Sequence, residues 1–120
     1  MDAPSAPLYH LALPTDWSAA FAEGEYRIST RGMTLDEVGF IHCSHRNQLE
    51  GTANCFYGDV DQLVVLTIDP DRVPAEIIEE PPEIDSDELF PHIYGPLPIA
   101  AVTLTRFWIR DGAHWSLDAL

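Results

Sequence analysis

Residues Gln62–Ile68, QLVVLTI, carry five aliphatic side chains and a β-branched threonine behind a single glutamine. A run this continuous has no polar face, so it is expected as a central strand covered on both sides. Asp69-Pro70-Asp71 then turns the chain out of it. Upstream, Leu49, Ala53, Phe56 and Tyr57 recur at i, i+4, i+7 and i+8, which predicts a helix over residues 46–57 lying on a core and ended by Gly58. Downstream, residues 99–109 are rich in Val, Thr, Phe and Trp and read as a long strand. The short apolar run at 8–13, LYHLAL, supplies a further strand, stopped by Pro14.

The remaining signals are shorter. Thr15 can cap a helix that presents Trp17, Ala20 and Phe21 on one face, favours Asp16 in its first turn and stops at Gly24. Trp17, Phe21 and Phe56 are read as core. Residues 26–29 alternate weakly, Thr34 and Glu37 have capping-box spacing for one helical turn, and residues 40–44 are extended. Residues 69–88 hold nine acids and one arginine, a solvated excursion in which 75–79 has strand character. Residues 90–96 read as a rigid aromatic connection, and no element is assigned to 111–120. Together these predict an α+β fold with a mainly antiparallel sheet and two short helices, a flexible leader at 1–7 and one domain over 8–120.

Composition narrows the function. At 120 residues and 46% hydrophobic, the chain has enough apolar surface for a single core. Its 20 acids face six bases, all arginine, for a formal charge of −14. With no lysine, Schiff-base chemistry and a lysine-bearing phosphate loop are excluded. The field repels nucleic-acid backbones and anionic membranes, leaving room for a small local anion site. No run approaches the ~18 apolar residues of a membrane span, and the opening Met1-Asp2-Ala3-Pro4 lacks the pattern of a secretory signal. A cytoplasmic protein with Cys43 and Cys55 as free thiols is expected.

Three clusters set titratable groups among apolar residues: Tyr9-His10, then residues 39–45 (GFIHCSH), then residues 90–95 (FPHIYG). Burying an unpartnered imidazole costs roughly 1–3 kcal/mol, so the simplest arrangement has the histidines meet. A cleft of His10, His42, Ser44, His92 and Tyr94 would supply acid–base groups, donors and a stacking face for a planar ligand. Each also has a structural role open to it: a strand histidine is more often a satisfied core group, Ser44 suits the N-cap of the following helix, and Tyr94 can lock its loop. His42-x-x-His45, with Cys43, Cys55, His10 and His92 elsewhere, includes zinc-ligand types. Neighbouring strand residues point to opposite faces, however, and no metal site is expected. Cys43 is expected as an inert buried thiol. Of the acids, Glu76, Glu79, Glu80 and Glu83 invite a cleft carboxylate that stabilises developing positive charge, against the plainer reading of a solvated face.

Tyr9-His10-Leu11, the run Gly39-Phe40-Ile41-His42-Cys43-Ser44, and the run FPHIYGPL at 90–97 followed by Ala101-Val102 occur in an order that resembles a small bacterial family, domain of unknown function 952. The resemblance spans about residues 8–109. It implies an ADP-ribosyltransferase-like architecture, a split, largely antiparallel sheet around an NAD-sized cleft. By the same resemblance, His10 would be the first-strand residue on the adenosine side, Ser44 or Tyr94 would support nicotinamide, and Glu79 or Glu80 would serve the nicotinamide ribose. Glu79 and Glu80 are adjacent rather than a Glu-x-Glu pair, which weighs against protein ADP-ribosylation. The branch that removes a 2′-phosphate from RNA with NAD would need a basic groove, for which Arg27, Arg31 and Arg46 are the grouped arginines. They are also suited to a dinucleotide pyrophosphate. The expectation is therefore an NAD- or nucleotide-binding domain, with an ADP-ribosyl transferase or NAD-dependent 2′-phosphotransferase-like activity open to it. Its rivals are a non-catalytic binding module on the same fold and a His/Cys metal protein.

Overall fold

The computed structural model describes residues 6–82 and 87–120, so residues 1–5 of the leader expected at 1–7, and Glu83, lie outside the described residues. The elements run β1 (Leu8–Ala12), α1 (Pro14–Glu23), β2 (Glu25–Tyr26), β3 (Ile28–Thr30), β4 (Met33–Thr34), α2 (Leu35–Val38) and β5 (Ile41–His42). They continue with α3 (Leu49–Phe56), β6 (Gln62–Ile68), β7 (Ile77–Glu80), β8 (Phe90–Ile93), β9 (Leu97–Pro98) and β10 (Val102–Ile109). The fold is mixed α+β, with antiparallel pairing in each of its small sheets. Among the described residues, no helix is long and apolar enough to cross a membrane.

β6 is the centre its composition predicts, flanked by β1 on one edge and β10 on the other. Leu63 and Val65 face a core of Leu49, Ala53, Tyr57, Trp108 and Trp115, while Val64, Leu66 and Ile68 face Tyr26, Ile41, Ile93 and Leu97. Because both faces are filled, the strand has no use for a polar alternation. The chain end, where no element was expected, completes the first of these cores. Trp115 is fully buried beside Trp108, donates its indole N–H to the Tyr57 carbonyl at 2.8 Å, and exchanges backbone hydrogen bonds with the Asn54 amide.

A second sheet has the order β5-β8-β7. It continues the first through a bridge at Tyr9 and Ser44, whose amides donate to each other's carbonyls at 2.9 and 2.7 Å. β8 corrects the reading of residues 90–96 as a connection: Phe90–Ile93 is its middle strand. Pro91 removes one ladder donor, but its carbonyl still accepts from Cys43 N at 2.9 Å, which holds β8 against the end of β5. The close packing of this sheet reaches Gly95, where a Cβ would stand 2.7 Å from that of Ala75.

Other boundaries differ for local reasons. Leu13, not Thr15, is the N-cap of α1, because Pro14 fits the first helical position with its fixed φ and absent N–H. The predicted 46–57 helix opens as a 3₁₀ turn at Arg46–Gln48 before α3, with His45 rather than Ser44 at its cap and Gln48 Oε1 accepting from His45 N at 2.9 Å. Ile99–Ala101 is likewise a 3₁₀ turn, so β10 starts at Val102, and the strand expected at 75–79 lies at Ile77–Glu80. The Thr34–Glu37 capping box forms as its spacing predicts. Phe21 and Phe56 are not core; they are 66% and 54% exposed, and Trp17 packs at the margin.

Candidate functional site

The three histidine clusters meet where β1, β5 and β8 come together. His10, buried on β1, donates from Nδ1 to the His42 carbonyl at 2.6 Å and accepts at Nε2 from the Tyr26 hydroxyl at 2.8 Å. Both of its ring nitrogens are thus occupied. His42, the last residue of β5, lies opposite His92 in the β5–β8 register, and its Nδ1 is 3.2 Å from His92 Nε2. His92 is buried under Phe40, whose ring stacks on it at 3.9 Å. On its far side His92 Nδ1 donates to Glu80 Oε1 at 2.8 Å, and the Tyr94 hydroxyl donates to the same oxygen. Glu80 and Tyr94 come from β7 and the end of β8, so the two-stranded pairing of β7 with β8 aligns the chain of donors.

Burial sets the electrostatics. It draws the His10 imidazole from 6.5 down to about 4, with the bond to the His42 carbonyl opposing. His42 is also drawn down to about 4, first by burial and then by His92 and His10. The hydrogen bonds from Tyr94 and then His92 hold Glu80 below the ordinary carboxylate value, and Glu80 in turn raises Tyr94. Burial pushes the Cys43 thiol and the Tyr26 phenol up. Cys43 lacks the electropositive, exposed setting of a nucleophile.

His42 faces an open cleft of about 540 Å³ that Ser29, Arg31, Phe40, Phe56 and Phe90 also line. Such a volume and an aromatic wall suit a small molecule carrying a planar group. Ser29 is decisive within it. The β3–β4 register slips between Ile28 and Thr30, which makes Ser29 the extra residue of a bulge. A bulge re-aims one side chain out of the ladder. Ser29 is 1% exposed, and its Oγ is the one buried side-chain oxygen or nitrogen among the described residues without a hydrogen-bond partner. The turn that follows depends on Gly32, whose φ of +72° costs a glycine nothing, and it delivers Arg31 to the rim.

Of the residues singled out by sequence, His42 and Arg31 line the cleft. His10, Ser44 and His42 line a small recess of about 10 Å³ behind it, together with Ser29 and Thr52. Ser44 is buried and shares a 3.4 Å contact with the Thr52 hydroxyl. The arginines do not form one group. Arg27 pairs with Glu25 and Asp36, Arg31 grips Asp59 with both terminal nitrogens, and Arg46 is exposed on the 3₁₀ turn. Asp59 is held down to about 2, first by the hydrogen bonds from Arg31. Glu79 faces away from Glu80 and accepts from His45 Nε2 at 2.7 Å, in keeping with strand alternation. No group of three His, Cys, Asp or Glu side chains among the described residues is arranged to share a metal ion. Sequence reading missed Ser29, Phe40, Phe56 and Phe90 as cleft walls. The available signal was the Ser29-Thr30-Arg31-Gly32 run, two hydroxyls and a cation entering a glycine turn.

The fold and site define a small α+β domain with an aromatic-walled cleft backed by a chain of histidines. The chain belongs to the family described as "Protein of unknown function (DUF952)", which it matches over residues 11–105. The structure is similar to the crystal structure of protein CC0527 from Caulobacter crescentus, with a TM-score of 0.78 and 24% identity over 92% of each chain. A double mutant of CC0527 gives 0.77 and 26% over 92% of each, and its solution NMR structure gives 0.69 and 26% over 95% of this chain and 96% of that one. Among curated proteins, none matches.

Proposed function

We propose that this protein binds NAD or a related nucleotide in the cleft between Ser29 and Phe90, on an ADP-ribosyltransferase-like arrangement of its split sheet. The observation that carries this reading is the Ser29 hydroxyl, buried, bulged out of its ladder and unpartnered at the wall of an aromatic cleft. A buried hydroxyl without a partner costs roughly 1–3 kcal/mol, and a ligand that supplies the missing hydrogen bond recovers it. Phe40, Phe56 and Phe90 offer faces to a base or nicotinamide ring, and Arg31 lines the same cleft, where a phosphate would compete with Asp59 for its guanidinium. Two of the residues that the family resemblance puts at the chemistry have other duties: His10 has both nitrogens engaged, and Glu79 holds His45. That favours a site in which His42 and Glu80 are the groups that matter, with a purely binding role as the second reading. Calorimetric titration with NAD, paired with a nicotinamide-release assay, tests both. Binding with heat supports the reading, release as well supports a transferase, and no heat at millimolar NAD contradicts it.

A further inference from the structure

The protons along the histidine chain are fixed by its two ends. A carboxylate only accepts, so His92 Nδ1 carries a proton and donates it to Glu80. With both rings neutral, His92 Nε2 is then an acceptor. The 3.2 Å contact therefore takes its proton from His42 Nδ1, leaving the lone pair of His42 on Nε2. Among the described residues that nitrogen has no hydrogen-bond partner, and its ring lines the cleft. The groups around His42 include His10 from β1, His92 and Phe90 from β8, and Glu80 of β7 beyond His92, while Arg31 lines the same cleft and Tyr57 the recess behind it.

A second chamber of about 290 Å³ opens beside the cleft, sharing Phe56 and Phe90 with it. Asn47, Gln48 and Thr52 line it with amides and a hydroxyl, and among the described residues no arginine does. Its one carboxylate among the described residues, Glu88, accepts from Gln48 Nε2 at 3.0 Å. Such a lining recognises hydroxyl groups and repels phosphates and nucleic acid.

We propose that His42 Nε2 is the general base of the cleft, that His92 and Glu80 are positioning residues which set its tautomer, and that the group it deprotonates is a hydroxyl of a small neutral acceptor, or water, that reaches the cleft from the second chamber past Phe56 and Phe90, the residues the two spaces share. The inference rests on the nucleotide reading above. As the C1′–N bond to nicotinamide breaks, its electron pair leaves with the ring, which departs neutral. The acceptor oxygen bonds to C1′, and its proton passes to His42 Nε2. The Nδ1 proton of His42 shifts to His92 Nε2, so the positive charge comes to rest on His92 beside the Glu80 carboxylate.

The test uses the full chain and three readouts. Long-range ¹H–¹⁵N NMR of the wild-type histidines is expected to show His42 protonated at Nδ1 and bare at Nε2; a proton on Nε2 at neutral pH would overturn the relay. Glu80→Gln keeps the shape but removes the charge and lets an amide N–H face His92. It is expected to lower nicotinamide release at least 10²-fold and to move its acid limb to lower pH, with NAD affinity within twofold. A variant with unchanged release and pH profile contradicts the inference. So does NAD that binds without being cleaved, which leaves the binding reading intact. Offered glycerol or agmatine, the wild type should give hydrolysis or a glycerol adduct; an agmatine adduct alone overturns the acceptor class. Absence of NAD binding removes the nucleotide reading itself, and the NMR tautomer then decides the relay independently.

Discussion

The two three-stranded sheets are built from opposite materials. In β1-β6-β10 the central strand is aliphatic on both faces, and one of its two cores is closed by Trp108 and Trp115. In β5-β8-β7 the central strand carries Pro91 and the buried His92, and its cross-strand partner is another imidazole. The first sheet is stabilised by apolar area removed from water. The second holds together by satisfying polar groups that would each be costly alone. Under the proposed function, the ligand site falls beside the sheet whose composition is worst for stability, and the other sheet is its support.

The sharpest way to break this division is at the apolar sheet. Trp115→Ala is expected to cost about 3–5 kcal/mol in urea unfolding, since it empties a fully buried site and frees the Tyr57 carbonyl, while the backbone bonds to Asn54 remain. Acid should act on the histidine chain instead, which joins His10 of β1 to His42 and His92 of the second sheet. His10 and His42 take up a proton near 6.5 when unfolded but only at about 4 when folded. Between those values the unfolded chain binds more protons, so their contribution is intact above pH 6.5 and is lost as pH falls towards 4. The loss is of order 3 kcal/mol per imidazole, read as a falling urea midpoint between pH 7 and 4.

Legibility follows the same line. β6, β1 and most of α3 were readable because uniform hydrophobicity and helical spacing are local signals. Phe90–Ile93 was not, because proline and histidine in a four-residue run look like a connection until β5 and β7 supply the partners. The meeting of the histidines could be argued from the cost of burying each alone, whereas their order along the hydrogen-bond chain depends on register. The glycine turn after Ser29 was there to be read, but its re-aiming was not, because a bulge is a property of two paired strands. The burial of Trp115 likewise comes from long-range contact with α3 and β10, not from any period in residues 111–120.

Two smaller changes sharpen the contrast. Gly95→Ala forces a Cβ against Ala75 beside the β7–β8 pairing and is expected to cost about 1–3 kcal/mol by thermal unfolding. The Tyr94 bond to Glu80 should loosen with it. Ser29→Ala removes the unpartnered hydroxyl, so it should stabilise the free protein by about 1 kcal/mol while weakening NAD binding by calorimetry. Opposite signs in stability and affinity would mark Ser29 as a ligand group.

The central claim, that the polar sheet and the Ser29 bulge form the ligand site while the apolar sheet supports it, is tested most directly by ¹H–¹⁵N chemical-shift mapping during NAD titration. Shifts concentrated at Ser29, Arg31, Phe40, His42 and Phe90, with Trp108 and Trp115 unmoved, are the predicted result. Shifts confined to β10 and residues 111–120, or none at saturating NAD, would contradict it.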